Sequence, residues 1–237
     1  MAAAPLEVTG LTAGYGQTRI IEDVALSAPA GGRVAILGRN GVGKTTLFAT
    51  LVGQTRRYAG SIRLGGVDIS ALTSAARAAA GLGYVPQTRD VFRSLTVEEN
   101  RRVGLNGRPR FGLEEAYELF PRLRERRKHL GAQLSGGEQQ MLSTARTILG
   151  QPKVLLLDEP LEGLAPVICD ELMSSLMKIA AERRMTILLV EQQIERALAF
   201  SEQVLIMERG KIVWSGAAAQ LRADRTLVER YIGVGIH

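Results

Sequence analysis

Two rhythms of apolar positions alternate along the chain. From Leu6 to Leu26 short alternating runs, broken at Gly10, Gly14 and Gly16, predict antiparallel strands with one buried face. Arg33-Val34-Ala35-Ile36-Leu37 is instead a continuous apolar strand that stops at Gly38. Leu47, Phe48, Leu51 and Val52 then recur at helical spacing, and Gly53 closes that helix. The local order is strand, glycine loop, helix.

Between roughly 92 and 150 the strand-like runs give way to helical patterns, with breaks at Gly104-Leu105-Asn106-Gly107 and at Gly131. From Lys153 an α/β rhythm returns. Val154-Leu157, Thr186-Val190 and Val204-Met207 read as buried strands, and Val167-Ala181 and Ile194-Phe200 as the helices between them. Arg209-Gly210-Lys211 reads as a hairpin turn, followed by a short helix. The expected fold class is α/β with a parallel-sheet core. An N-terminal antiparallel β-subdomain and a helical subdomain inserted at about 92-150 complete a single domain over residues 1-237, without repeats or an interdomain linker.

Composition narrows the class. In a chain of 237 residues, 46% hydrophobic content is enough for a sizeable core and excludes disorder. The longest apolar runs are far too short to span a bilayer, and Met1-Ala2-Ala3-Ala4-Pro5-Leu6-Glu7 has neither basic nor apolar signal character, so a cytoplasmic location is expected. One cysteine, Cys169, permits no internal disulfide and reads as a small helix residue. His129 and His237 have no companions for a zinc site. The net charge of +6 is densest in Arg122-Leu123-Arg124-Glu125-Arg126-Arg127-Lys128. That run reads either as a solvated helix face or as a contact for anionic lipid or nucleic acid. The absence of interleaved aromatics argues against nucleic acid.

The glycine loop carries the first chemistry. Gly38-Arg39-Asn40-Gly41-Val42-Gly43-Lys44-Thr45 is Gly, four residues, Gly, Lys and Thr, the P-loop pattern. Glycines let the backbone aim successive N–H groups at phosphate oxygens, and the helix that follows adds its positive end. Lys44 places a charge on the β- and γ-phosphates, and Thr45 offers a hydroxyl to Mg²⁺. The complementary acids stand at the end of the buried run Val154-Leu155-Leu156-Leu157-Asp158-Glu159. Asp158 suits Mg²⁺ through water, and Glu159 suits the attacking water.

Leu134-Ser135-Gly136-Gly137-Glu138 opens another helix. Ser135 and Glu138 form a capping box, Met141, Leu142, Ala145, Ile148 and Leu149 follow at helical spacing, and Gly150 and Pro152 end it. The chain therefore carries two glycine-opened helix starts, each suited to an anion.

This five-residue string, about 20 residues before Asp158, resembles the signature of ATP-binding-cassette ATPases, and the resemblance covers nearly the whole chain. It implies an ATP hydrolase with Mg²⁺ as cofactor. By the same resemblance Tyr15 stacks on adenine, and Gly38 to Thr46 (Gly38, Arg39, Asn40, Gly41, Val42, Gly43, Lys44, Thr45, Thr46) hold the nucleotide. Thr45, Gln87 and Asp158 serve the metal, and Glu159, Gln192 and Gln87 serve hydrolysis. Ser135, Gly136, Gly137 and Glu138 would act in trans, closing over a nucleotide held by a second ATPase subunit. Gly163-Leu164-Ala165 resembles the loop between the two sites of such a dimer.

Asp158-Glu159-Pro160-Leu161-Glu162-Gly163-Leu164-Ala165-Pro166, Leu189-Val190-Glu191-Gln192-Gln193 and Tyr231-Ile232-Gly233-Val234 look like the ATPases of branched-chain amino-acid importers, with urea and amide importers close. That branch implies transmembrane permease subunits, an ATPase homo- or heterodimer, a periplasmic solute-binding protein and a seat on the inner face of the plasma membrane, with no nucleic acid. Most of the wider family has histidine where this chain has Gln192, and aspartate where it has Ala165; both departures are shared by the branch. Glutamine donates a hydrogen bond but carries no titrating proton. Two other classes stay open at this level. One is a soluble ATPase of the same kind acting on nucleic acid or ribosomes, which would usually carry a second cassette or long arms. The other is a small-molecule P-loop kinase, in which Ser135-Glu138 has no role.

Overall fold

The computed structural model describes residues 2-105, 113-182, 185-224 and 226-227. The chain begins with β1 (Leu6–Tyr15) and β2 (Thr18–Ala28), then β3 (Arg33–Leu37) and α1 (Lys44–Leu51). It continues with β4 (Arg56–Leu64), β5 (Val67–Asp68), α2 (Ser74–Ala80) and β6 (Leu82–Val85). Helices α3 (Val97–Gly104), α4 (Leu113–Leu119) and α5 (Pro121–Glu125) follow, then a 3₁₀ turn (Gly131–Gln133) and α6 (Gly136–Leu149). The last part is β7 (Val154–Asp158), α7 (Pro166–Ala181), β8 (Thr186–Val190), α8 (Ile194–Phe200), β9 (Gln203–Glu208), β10 (Lys211–Ala217) and α9 (Ala218–Ala223). Tyr231-Val234, Asn106, Gly107 and His237 lie outside the described residues.

The first sheet is antiparallel, in the order β2-β1-β4-β5. Its predicted breaks at Gly10 and Gly14 are not chain breaks. β1 runs unbroken through both, with register shifts against β2 between Val8 and Leu11 and again around Ala13; only Gly16 lies in the turn to β2. A bulge absorbs an extra residue without ending the ladder. The bulge at Gly10 faces Gly60 of β4, which has φ +85°; a Cβ there would stand 2.4 Å from the Gly10 carbonyl oxygen, so only glycine fits. β4 itself carried no strand signal, because only Ile62 and Leu64 are buried along it.

The second sheet runs β10-β9-β3-β8-β7-β6, with β9, β3, β8, β7 and β6 parallel and β10 antiparallel at the edge. This is the expected α/β class. Val154, Leu156, Leu188 and Val190 pack into one core with α1 and the antiparallel sheet, whereas Leu155, Leu157, Ile187 and Leu189 pack into another with α6 and α7. Alternate residues feeding opposite cores explain why these strands read as unbroken apolar runs. Each such leucine contributes roughly 1.5–3 kcal/mol on burial. Ile36 pairs with Val190, and Val190 with Asp158, so the carboxyl ends of β3, β8 and β7 finish level and present their loops on one edge.

The basic run departs from a uniform helix face. Arg122 and Arg124 are helical, but α5 ends at Glu125 and Arg126 to Lys128 lie in the turn beyond it. Proteins neutralise such runs by pairing. Arg122 bonds Glu171 through two donors, Arg124 pairs with Glu114, and Arg126 with Glu138. Among the described residues no helix is long and apolar enough to cross a membrane.

Candidate active site

The glycine loop leaves β3 and folds back over the start of α1. Gly38 has φ +155°, and a Cβ there would lie 2.3 Å from the Met207 carbonyl oxygen of β9. Gly43 caps α1 with φ +110° and no side-chain cap, and the first turn holds no acid, so its N–H groups and dipole stay available to an anion. Val42 turns its side chain to the core, and its carbonyl accepts from Gly210 N–H at 2.9 Å.

Lys44 is buried, and its ammonium donates to the carbonyls of Gly38 (2.9 Å) and Arg39 (3.1 Å). It also pairs with Glu159 Oε1 at 3.4 Å. Thr45 donates its hydroxyl to Asp158 Oδ1 at 3.3 Å, and Tyr84 donates to Oδ2 at 3.1 Å. Tyr84 is aimed by its edge-on packing against Phe48 of α1. Burial pushes the fully buried Asp158 up to about 6, although the Tyr84 and Thr45 bonds pull the other way. Burial also raises the Tyr84 hydroxyl, with the Asp158 charge second.

Glu159 follows β7 with φ +46°, an uncommon backbone for a side-chain residue, held by its N–H bond to the Val190 carbonyl at 2.9 Å. Its Oε2 accepts from Gln192 Nε2 and, at 3.5 Å, from Gln87 Nε2. Gln87 also donates to the Glu162 carboxylate, and Arg89 donates to the Glu162 carbonyl at 3.2 Å. A cavity of about 400 Å³ opens onto Lys44, Thr45, Thr46, Gln87, Glu159 and Gln192, with Gly41, Gly43, Asn40 and Tyr15 around it. Tyr15 is 52% exposed, which leaves its ring free to stack on a flat ligand. Arg39 lines a neighbouring cavity of about 380 Å³ together with Gln192 and Glu191. A larger space of about 560 Å³, between Phe120, Arg122 and Glu171, lies away from all these groups.

The structure does not bring Ser135 to Glu138 into this cavity. Ser135 caps α6, accepting from Glu138 N–H at 3.3 Å, while its own N–H donates to Glu138 Oε2 at 2.8 Å. Gly136 lies against Arg89, where a Cβ would sit 2.6 Å from Nη1; Gly137 packs as closely on Ile168 Cγ2. Burial opposes ionisation of Glu138, but its Ser135 and Arg126 bonds win and hold the carboxyl low. Cys169 is buried in α7 with its thiol pushed up by burial, consistent with a packing residue.

Four residues meet at the site without a sequence motif that gives them a role: Tyr84, Arg89, Glu162 and Glu191. Glu191 had a usable signal, since it is an acid directly after a continuous apolar strand, as Asp158 nearly is. It is 2% exposed, and burial raises its carboxyl above the usual range.

Among the described residues no group of three His, Cys, Asp or Glu side chains is able to hold a metal alone. The oxygen pair of Thr45 and Asp158 fits a hard cation that also takes phosphate oxygens, which is how Mg²⁺ is commonly held.

Residues 21–162 match the ABC transporter family model. The chain is 36% identical to the high-affinity branched-chain amino acid transport ATP-binding protein BraG of Pseudomonas aeruginosa, over 92% of this chain and 95% of that one. It is 34% identical to a probable branched-chain amino acid transport ATP-binding protein of Archaeoglobus fulgidus, over 97% and 99%. The lipopolysaccharide export system ATP-binding protein of Escherichia coli K12 is 32% identical over 97% and 98%. Among solved structures, an ATP-binding subunit of an ABC transporter superposes with a TM-score of 0.82 at 26% identity, covering 94% of this chain and 93% of that one.

Proposed function

The chain belongs to the ABC transporter family of ATP-binding proteins, and from that premise we propose that it hydrolyses ATP to energise an importer of branched-chain or other amino acids. The observation that carries the hydrolytic part is the convergence of Lys44, Thr45, Glu159, Gln87 and Gln192 on one cavity at the sheet edge. A phosphate chain competes with Glu159 and two carbonyls for the Lys44 ammonium, so nucleotide entry frees the Glu159 carboxylate. Freed, Glu159 accepts a hydrogen bond from the attacking water and holds it in line with the γ-phosphorus. The Gln192 and Gln87 amides bond that carboxylate and hold it in place, and the second amide N–H of Gln192 would meet the γ-phosphate. Thr45 and Asp158 would hold Mg²⁺, which neutralises developing charge on the phosphates.

The separation of Ser135–Glu138 from the Lys44 cavity supports a head-to-tail pair, in which the α6 start of one ATPase completes the site of another. The reading places the chain on the cytoplasmic face of the plasma membrane, against transmembrane permease subunits served by a periplasmic solute-binding protein. Urea or amide import uses the same machinery with a different solute. Export of lipopolysaccharide is a second reading, favoured by relatives of almost equal identity that bear that name.

Co-purification of the tagged chain from its native membrane tests the reading. Recovery of permease subunits encoded with a solute-binding protein supports import. Recovery of lipopolysaccharide-export membrane proteins establishes the second reading, and release of no phosphate from ATP by the recovered complex removes both.

A further inference from the structure

Glu191 sits between two loops that meet at the hydrolytic cavity. One follows β7 and carries Glu159; the other follows β8 and carries Gln192. Its Oε1 accepts from Leu161 N–H at 3.0 Å, and its Oε2 accepts from Gln192 N–H at 2.9 Å and Gln193 N–H at 3.2 Å. The same two loops are joined by Glu159 N–H to Val190 C=O, and by Gln192 Nε2 to the Glu159 carboxylate. The bonds close a ring: Glu159 carboxylate, Gln192 side chain, Gln192 backbone, Glu191 carboxylate, Leu161 backbone and Glu159 again.

The chemistry asks for a carboxylate at this position. Three donors converge on two oxygens, and an ionised carboxyl is acceptor-only. Glutamine would keep one acceptor oxygen and point an NH₂ at a backbone N–H. Aspartate is one methylene shorter and reaches one loop only. The group is 2% exposed, and three backbone donors support its charge. Burying a carboxylate is costly unless it is hydrogen-bonded, and the three backbone donors meet that condition.

We propose that Glu191 is a positioning residue for ATP hydrolysis, holding the Glu159 loop and the Gln192 loop as one rigid unit so that the water-orienting carboxylate and the γ-phosphate contact stay in register. The inference rests on the hydrolytic reading above. It assigns Glu191 no contact with nucleotide.

The test compares wild type, Glu191→Gln, Gln192→Ala and the double variant as full-length chains. ATP turnover, ATP affinity and amide exchange at Leu161, Gln192 and Gln193 are measured on each. Glu191→Gln is expected to lower kcat by about 10- to 100-fold, as small misplacement of reacting groups does. Its ATP dissociation constant stays within about twofold, and the three amides exchange faster than in wild type. In the Gln192→Ala background the same substitution costs far less, because the unit is already broken. An unchanged kcat, or parallel loss of kcat, ATP affinity and thermal stability, overturns the proposal, as does a fully multiplicative double variant. Should Glu191→Gln fail to fold, Glu191→Asp keeps the charge and is read by the same split. A wild-type chain that binds ATP without turnover in any assembly would remove the hydrolytic reading instead; unchanged amide exchange in the variant would remove the bridge itself.

Discussion

Lys44 and Glu159 form a buried ion pair, 3.4 Å from ammonium to carboxylate, within the cavity that the glycine loop lines. On the hydrolytic reading proposed above, the cation that would hold phosphate is thus partnered by the acid that would orient water. On that reading, their exchange of partners would link nucleotide entry to the release of Glu159. A buried pair of this kind adds little net stability, yet removing one member leaves the other uncompensated.

Glu159→Gln breaks the pair while keeping the shape. ATP turnover is expected to fall by about 10²–10³-fold or more, the scale of a lost transition-state contact. ATP affinity is expected to rise, because Lys44 no longer has a competing carboxylate. Nucleotide titration alongside phosphate release checks both, and weaker binding with intact turnover would remove the assigned role.

Asp158 ties stability to pH. Its folded pKa of about 6 lies above the ordinary 3.8, so the native chain holds an extra proton between those values. Without bound metal, this group's contribution therefore falls as pH rises from about 4 to 6 and is flat above. The full cost is up to about 3 kcal/mol. Asp158→Asn is expected to flatten that window and to match or exceed wild-type melting at pH 7.5 in chelator, while losing Mg²⁺-dependent turnover. Thermal melts from pH 4 to 8 are the measurement.

Gln192 donates its side-chain amide to the Glu159 carboxylate. Gln192→Ala should reduce kcat by about tenfold or more. Gln192→His restores a donor, so it should recover most of that loss at pH 8 and acquire a rate that changes near pH 6.5, where imidazole titrates. The wild type lacks this inflection from residue 192. Rates from pH 6 to 8 for the three proteins decide the point.

Gly60→Ala probes the antiparallel sheet far from the chemistry. The added Cβ meets the Gly10 carbonyl oxygen at 2.4 Å in a backbone with φ +85°. Strand separation or backbone strain is expected to cost about 1–3 kcal/mol in chemical denaturation, with kcat unchanged at temperatures where the variant is folded.

Much of the site was legible because its parts are short and contiguous. The glycine loop, the strand before it and the helix after it occupy one stretch, and Asp158 and Glu159 close a single apolar run. Ser135 and Glu138 announce a cap within four residues, and the structure contains that box. Gly10 and Gly14 misled, because a bulge and a chain break have the same local signal. Strand β4 has no local signal because its burial is decided by β1 beside it.

By itself, the sequence determined the segments whose periodicity or backbone needs are local: β3 and the glycine loop, β7 with its acids, β8, and the capped α6. Tertiary structure alone decided that Ile36, Val190 and Asp158 finish level across three strands. It also brought Tyr84 to Asp158, Gln87 to Glu162 and Glu191 to Leu161. Strand order and register are set by packing between segments up to 169 residues apart, as Leu37 and Ile206 are, where neither propensity nor spacing carries information; hydrogen bonds among buried polar groups then select the partners.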